Sequence, residues 1–183
     1  MLRIIAGNKK RKKLLAPDFD VSRPTKDRIK EAVFSIIQFD LKDAVFLDLF
    51  AGSGQMGIEA LSRGAKKAFF VDENRSAIKI IEKNLRSCGF KNSDFAYVFC
   101  NSAENFLKNI CIKFDIAFID PPYKNKFEEK NLLELDKKMN PKSIIICETD
   151  SHEKLPSSFA NFYFKKNYIY SKTRIIVYKN CLE

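Results

Sequence analysis

The stretch from Val45 to Gly57, V-F-L-D-L-F-A-G-S-G-Q-M-G, restricts the fold of this chain more than any other. It starts as an unbroken apolar run, the pattern of a strand covered on both faces, and breaks into Gly52, Gly54 and Gly57 before a helical pattern begins. A strand that turns tightly into a helix leaves unpaired N–H groups and the positive end of a helix dipole at the turn. Glycine lets that turn take positive φ and approach a ligand closely. The stretch reads as a nucleotide pocket at the end of a buried strand.

Gly52-Ser53-Gly54-Gln55-Met56-Gly57 satisfies the dinucleotide fingerprint G-x-G-x-x-G, a pattern of low specificity by itself. Asp48, four residues before the first glycine, discriminates further. A carboxylate inside a strand end is costly to bury unless it meets a positive group. The pyrophosphate of a dinucleotide would be repelled there, whereas the amino group of a methionine moiety would pair with it. The expected ligand is S-adenosyl-L-methionine; a glycine turn that only closes a strand against a helix is the plain alternative.

Strand and helix patterns alternate along the rest of the chain. Ile29, Ala32, Val33, Ile36 and Ile37 share one helical face, in a helix expected to begin near Asp27 with Thr25 or Asp27 as its cap. Ile58, Ala60 and Leu61 open the first crossover helix, which stops near Arg63-Gly64. Ala68 to Val71 form a second strand ending in Asp72, twenty residues after Gly52, the spacing at which an acid reaches ribose hydroxyls. A helical face of Ile78, Ile81 and Leu85 precedes a third strand from Phe95 to Phe99, after which Asn101-Ser102-Ala103 would border an adenine. Phe114 to Ile119 is a fourth strand, Leu132 to Met139 a helix, and Ser143 to Cys147 a fifth strand ending in Glu148. Phe162 to Tyr170 and Arg174 to Tyr178 are separated by only Ser171-Lys172-Thr173, too short for a parallel crossover, so that pair must be antiparallel. Such an alternation predicts an α/β fold with a mostly parallel sheet, whose ligands gather at the carboxyl ends of the strands.

The formal charge of +10 is unevenly placed. Residues 1–30 hold ten basic residues against three acids, so +7 lies there. Such a block is the electrostatic footprint of a polyanion. Residues 3–15 run from Ile4-Ile5-Ala6 through Gly7-Asn8 and five cations, Lys9, Lys10, Arg11, Lys12 and Lys13, to Leu14-Leu15. This predicts a β-hairpin with a cationic tip, with a disordered arm as the alternative. The boundaries are a basic N-terminal piece at 1–22 and an α/β domain at 23–183. The five cysteines include no C-x-x-C pair and are expected to be reduced core residues, and His152 has no metal-binding neighbour, so no metal is expected. No apolar run is long enough to cross a bilayer and no secretory signal opens the chain, which predicts a cytoplasmic protein.

The fourth strand runs directly into Asp120-Pro121-Pro122-Tyr123. Two prolines remove two backbone donors and present carbonyl oxygens rigidly. An exocyclic amine of guanine or adenine needs acceptors for its N–H groups and a flat surface for its ring. The Asp120 carboxylate and the Pro121 carbonyl supply the first, and Tyr123 supplies the second. A strand-ending turn without chemistry is the plain alternative.

Arg23-Pro24-Thr25-Lys26-Asp27-Arg28, Asp48-Leu49-Phe50-Ala51-Gly52-Ser53-Gly54, Glu59-Ala60-Leu61-Ser62-Arg63-Gly64-Ala65 and Asp120-Pro121-Pro122-Tyr123 together resemble the bacterial 16S rRNA (guanine 966-N2)-methyltransferase family, class I and S-adenosylmethionine-dependent. The resemblance spans nearly the whole chain and thins beyond Lys126. It implies a Rossmann-like seven-stranded methyltransferase sheet, mostly parallel with an antiparallel last strand, carrying an N-terminal β-hairpin extension. It also implies methyl transfer to the N2 of a guanine in 16S ribosomal RNA of the small subunit or its assembly intermediate, by a monomer. On this resemblance Asp48, Phe50, Ala51, Gly52, Ser53, Gly54 and Gly57 hold the methionine part, Asp72 the ribose, and Ser102 and Ala103 the adenine. Asp120, Pro121, Pro122 and Tyr123 hold the target guanine, and Lys9 to Lys13 with Arg23, Thr25 and Arg28 hold RNA. The chain departs from the family in having Asp72 where glutamate is common, Ser102 where Asp or Asn is common, and no glycine near Ser171-Lys172-Thr173. The residues leave open a DNA adenine-N6 methyltransferase, a non-catalytic RNA-binding or ribosome-assembly protein with a vestigial cofactor fold, and a nicotinamide dehydrogenase.

Overall fold

The computed structural model describes residues 2–16, 24–90, 94–121, 129–153 and 155–182. The chain opens with a two-stranded antiparallel hairpin, β1 (Leu2–Arg3) and β2 (Lys13–Leu14), so the cationic stretch is the tip of a hairpin rather than an arm. Helix α1 (Pro24–Ile36) follows, then an alternation of β3 (Val45–Leu49), α2 (Gln55–Ser62), β4 (Lys67–Asp72), α3 (Arg75–Ser87), β5 (Ala96–Cys100), α4 (Ala103–Asn109), β6 (Phe114–Ile119), α5 (Glu129–Asp136) and β7 (Met139–Asp150). Three short-linked strands close it: β8 (Ser158–Phe159), β9 (Phe162–Tyr170) and β10 (Thr173–Asn180). Helix α1 begins at Pro24, three residues before Asp27, and proline suits the first turn because its missing N–H would be unpaired there anyway.

The main sheet has the order β5-β4-β3-β6-β7-β10-β9-β8. Strands β3 to β7 are parallel, and β10 enters antiparallel to both β7 and β9. Seven of the eight strands are those expected from the sequence; the eighth, β8, adds two residues against β9. The turn between β9 and β10 lacks a glycine, and Ser171 there takes φ +57°.

Each inner strand is buried on both faces, as an all-apolar parallel strand must be. Phe46, Phe70, Ile116, Phe118, Ile144 and Ile146 pack on the face shared with Val33, Phe34 and Ile58. Leu47, Leu49, Phe69, Ala117, Ile119 and Ile145 pack on the opposite face with Phe106, Leu107 and Leu135. The hairpin residues Leu2, Ile4 and Leu14 belong to the first of these clusters. All five cysteines are free, but only Cys88 and Cys147 are buried, so the core role expected for the set fails for the exposed Cys100, Cys111 and Cys181. Among the described residues no helix is long and apolar enough to cross a membrane, and no cluster of His, Cys, Asp and Glu could hold a metal ion.

Candidate active site

The turn after β3 is tied to the end of β4. Phe50 and Ala51 both donate N–H bonds to the Val71 carbonyl, at 3.0 and 2.9 Å, and Gly52 donates to Asp72 Oδ2 at 2.8 Å. The other Asp72 oxygen accepts from the Asn74 N–H at 2.8 Å. Gly52 and Gly54 have φ of +54° and +74°, and a Cβ added to Gly52 would meet nothing within 4 Å, as expected of backbone facing a ligand. Phe50 shares the left-handed conformation at φ +72°. A bulky residue held there stores strain of order 1–3 kcal/mol, which clusters at functional turns.

Gly57 does not belong to the turn. It lies inside α2, which starts at Gln55, earlier than the apolar pattern from Ile58 indicated. A Cβ on Gly57 would stand 2.3 Å from the Phe70 ring, so the residue is glycine to let α2 settle against β4. Its N–H donates to Asp48 Oδ2 at 2.9 Å.

Asp48 is 1% exposed. Burial pushes its carboxyl up to about 8; the Gly57 N–H opposes that rise, and the neighbouring Asp120 and Asp72 add to it. A carboxyl this deep, bonded to one backbone N–H among the described residues, suits a ligand that brings a positive charge to the turn. The donor set therefore fits S-adenosyl-L-methionine, whose amino group is cationic, better than a pyrophosphate.

Strand alternation and register arrange four carboxylates on one face at the carboxyl rim. Phe70, Asp48, Phe118 and Ile146 form one cross-strand row on the α1–α2 side of the sheet. One pleat further, the same face carries Asp72, Asp120 and Glu148, while Phe50, turned by its left-handed φ, packs with the opposite cluster. Leu49 pairs with Ile119, so the glycine turn and Asp120-Pro121 leave neighbouring strands at the same rim. Lys30, Gln55, Met56, Asp120 and Glu148 line a narrow cleft there, and Gln55 Oε1 is buried with no hydrogen-bond partner among the described residues.

Ser102 caps α4, its Oγ accepting from the Asn105 N–H at 3.3 Å, and Ala103 begins that helix in a buried position. Asn101 donates its N–H to the Asp72 carbonyl at 3.1 Å, so the segment expected at the adenine adjoins the one expected at the ribose. Pro122, Tyr123 and Arg23 lie outside the described residues, as does the Thr25 side chain. Arg28 is exposed on α1.

The basic tip is elsewhere. Asn8 donates its N–H to the Ser62 carbonyl at 2.8 Å and Lys9 to Ser62 Oγ at 3.0 Å, which places the tip at the carboxyl end of α2, beside the amino rim of the sheet. The eight residues of α2 separate it from the glycine turn, about 12 Å of helix. Glu59 anchors the hairpin, accepting from the N–H groups of Ile5 (2.8 Å) and Ala6 (2.9 Å) and from Arg63 Nε (2.8 Å), with Lys30 Nζ at 3.6 Å. Asn84 joins the hairpin to the turn: its Oδ1 accepts from the Leu15 N–H, and its Nδ2 donates to the Leu15 and Ser53 carbonyls.

Glu148, Gln55, Glu59 and Asn84 are absent from the residues predicted as a site. Glu148 had a signal, the step-of-two run Ile144, Ile146, Glu148 that puts an acid on the same face as Asp48. The Glu59–Arg63 pair has helical i,i+4 spacing, but the bonds that tie Glu59 and Asn84 to the hairpin had no signal, because they reach backbone groups 53 to 69 residues away.

A family model described as "Conserved hypothetical protein 95" matches residues 2–179. Ribosomal RNA small subunit methyltransferase D of Escherichia coli K12 is 36% identical, over 88% of this chain and 81% of its own length. YlbH of Bacillus subtilis, named as a candidate rRNA methyltransferase, is 34% identical over 97% of this chain and 98% of its own. Among solved structures, that of yhhF, a candidate methyltransferase of Escherichia coli, superposes with a TM-score of 0.87 at 30% identity, covering 100% of this chain and 99% of that one.

Proposed function

We propose, for a chain that belongs to the family of ribosomal RNA small subunit methyltransferase D, transfer of a methyl group from S-adenosyl-L-methionine to the exocyclic N2 of a guanine in 16S ribosomal RNA. The observation that carries the reading is the pairing of Leu49 with Ile119, which opens the glycine turn and Asp120-Pro121 side by side at one rim. A donor-binding turn and an acceptor for an amine are thereby neighbours.

Asp48 receives the ammonium of the donor, Asp72 faces its ribose, and the segment at Ser102 and Ala103 borders its adenine. The donor supplies an electrophilic methyl on a sulfonium, and its positive charge is lost as the C–S bond breaks and the N–C bond forms. Asp120 and the Pro121 carbonyl accept the N–H groups of the amine, holding its lone pair towards the methyl. Tyr123 stacks on the ring and Pro122 stiffens the loop between them. The nitrogen then sheds a proton. Positioning supplies most of the acceleration, because no oxyanion develops.

The cations Lys9 to Lys13, with Arg23, Thr25 and Arg28, contact the RNA backbone, and phosphate contacts position without reading sequence. The substrate is the small subunit or its assembly intermediate, and the enzyme acts as a cytoplasmic monomer. Undermethylated small subunits incubated with labelled donor, followed by nucleoside analysis, test the reading. N2-methylguanosine is expected; its absence at saturating donor rules the reading out.

A further inference from the structure

We infer that Glu148 is the residue that selects guanine, accepting the N1–H and one N2–H of the base while Asp120 accepts the other N2–H. The inference rests on the transfer reading above and adds to it the means by which one base is chosen.

The geometry comes from strand register. Ile119 of β6 pairs with Cys147 of β7, so Asp120 leaves its strand in step with Glu148. Adjacent strands are about 4.8 Å apart, and both side chains rise on the same face, in the cleft that Gln55 and Met56 close from α2. Glu148 is half-buried there. Two neighbouring carboxylates and Gln55 Oε1, which has no hydrogen-bond partner among the described residues, supply acceptors to the cleft, and the Lys30 ammonium on its wall is already taken up by the Arg3 carbonyl and Glu59.

Such a surface has one complement among the four common bases. Guanine alone presents an N–H and an NH2 side by side on its Watson–Crick edge. Adenine and cytosine also carry an exocyclic amine, but each sets a ring-nitrogen lone pair beside it. Against Glu148 that lone pair would face a carboxylate oxygen, two acceptors with no proton between them. A site built to take a substrate N–H discriminates strongly against an analogue lacking it, because its own polar group is left unpaired. The same Asp120 loop can hold any exocyclic amine, so the choice of base has to come from its neighbour across the sheet.

The test uses small subunits reconstituted with guanine or 2-aminopurine at the target position. 2-Aminopurine keeps the N2 amine but has a lone pair at N1. The wild-type protein is expected to favour guanine over 2-aminopurine by about 10- to 100-fold in kcat/KM, the discrimination typical of one bidentate contact. Glu148→Gln, whose amide can donate to N1, is expected to bring that ratio to near one, with donor affinity by calorimetry and the melting temperature unchanged. Glu148→Asp keeps the charge one methylene back; it should lose rate but retain preference, and it serves if the glutamine variant does not fold. A glutamine variant that keeps the wild-type ratio while transfer to guanine persists, or an aspartate variant whose rate and ratio both match the wild type, overturns the inference alone. Wild-type protein that methylates neither base overturns the transfer reading and the inference with it.

Discussion

Asp48 and Glu59 are carboxylates on neighbouring elements, both within 1% of complete burial, and the chain treats them oppositely. Glu59 is surrounded by donors: two backbone N–H groups of the hairpin, the Arg63 guanidinium and the Lys30 ammonium. Asp48 has the Gly57 N–H and faces further acids, Asp120 and Asp72. A saturated buried charge holds structure together; an under-compensated one stands ready for a cation that arrives later. The hairpin anchor is thus structural, whereas the floor of the glycine turn is the proposed donor site, although α2 contributes to both.

Substitutions can break this contrast. The largest effect is expected at the saturated site. Glu59→Ala strands two N–H groups and leaves the buried Lys30 without its counter-ion, which should cost about 3–5 kcal/mol in urea unfolding. A loss below about 1 kcal/mol would show that the hairpin is not anchored there. Gly57→Ala tests the close approach between α2 and β4: a methyl driven against Phe70 should cost about 1–3 kcal/mol.

Asp48→Asn should act in the opposite direction. Because the folded-state carboxyl titrates near 8 rather than near 3.8, the folded protein retains a proton that the unfolded chain releases. Its stability therefore falls as pH rises from about 4 through 8, and the loss is complete above that. The variant lacks this penalty, so its melting temperature should exceed that of the wild type by an amount that grows over the same window and then levels off. Its affinity for S-adenosyl-L-methionine should fall at least tenfold. Equal melting curves at pH 4 and pH 9 would show that Asp48 carries no such strain.

The smallest effect on stability is expected at the tip. Replacing Lys10, Arg11 and Lys12 together by Gln should leave unfolding within about 0.5 kcal/mol. The slope of log affinity for RNA against log salt should nevertheless drop by about 2, at roughly 0.7 per phosphate contact on a single strand. An unchanged slope would remove the tip from the RNA surface.

Much of the contrast was legible before folding was considered. The apolar run into Gly52 and Gly54, the strand-ending Asp72 and the strand end before Asp120 follow from local periodicity and turn chemistry, and each lies where those rules put it. Gly57 was misplaced because G-x-G-x-x-G does not say where a helix starts; the approach of Phe70 explains it, and that is a contact across the sheet. The Glu59 and Asn84 bridges were illegible, because a side chain bonded to distant backbone leaves no periodic trace.

From its sequence alone this chain was bound to be a mostly parallel α/β sheet with a tight glycine turn after its first inner strand, because burial on both faces and positive φ at Gly52 and Gly54 are local demands that the residues themselves express. Tertiary structure decided which acids share a row, that Glu148 stands beside Asp120, and that the basic tip lies a helix length from the turn. Those outcomes depend on register and docking between segments far apart in the chain, where the spacing of residues in sequence carries no measure of distance in space.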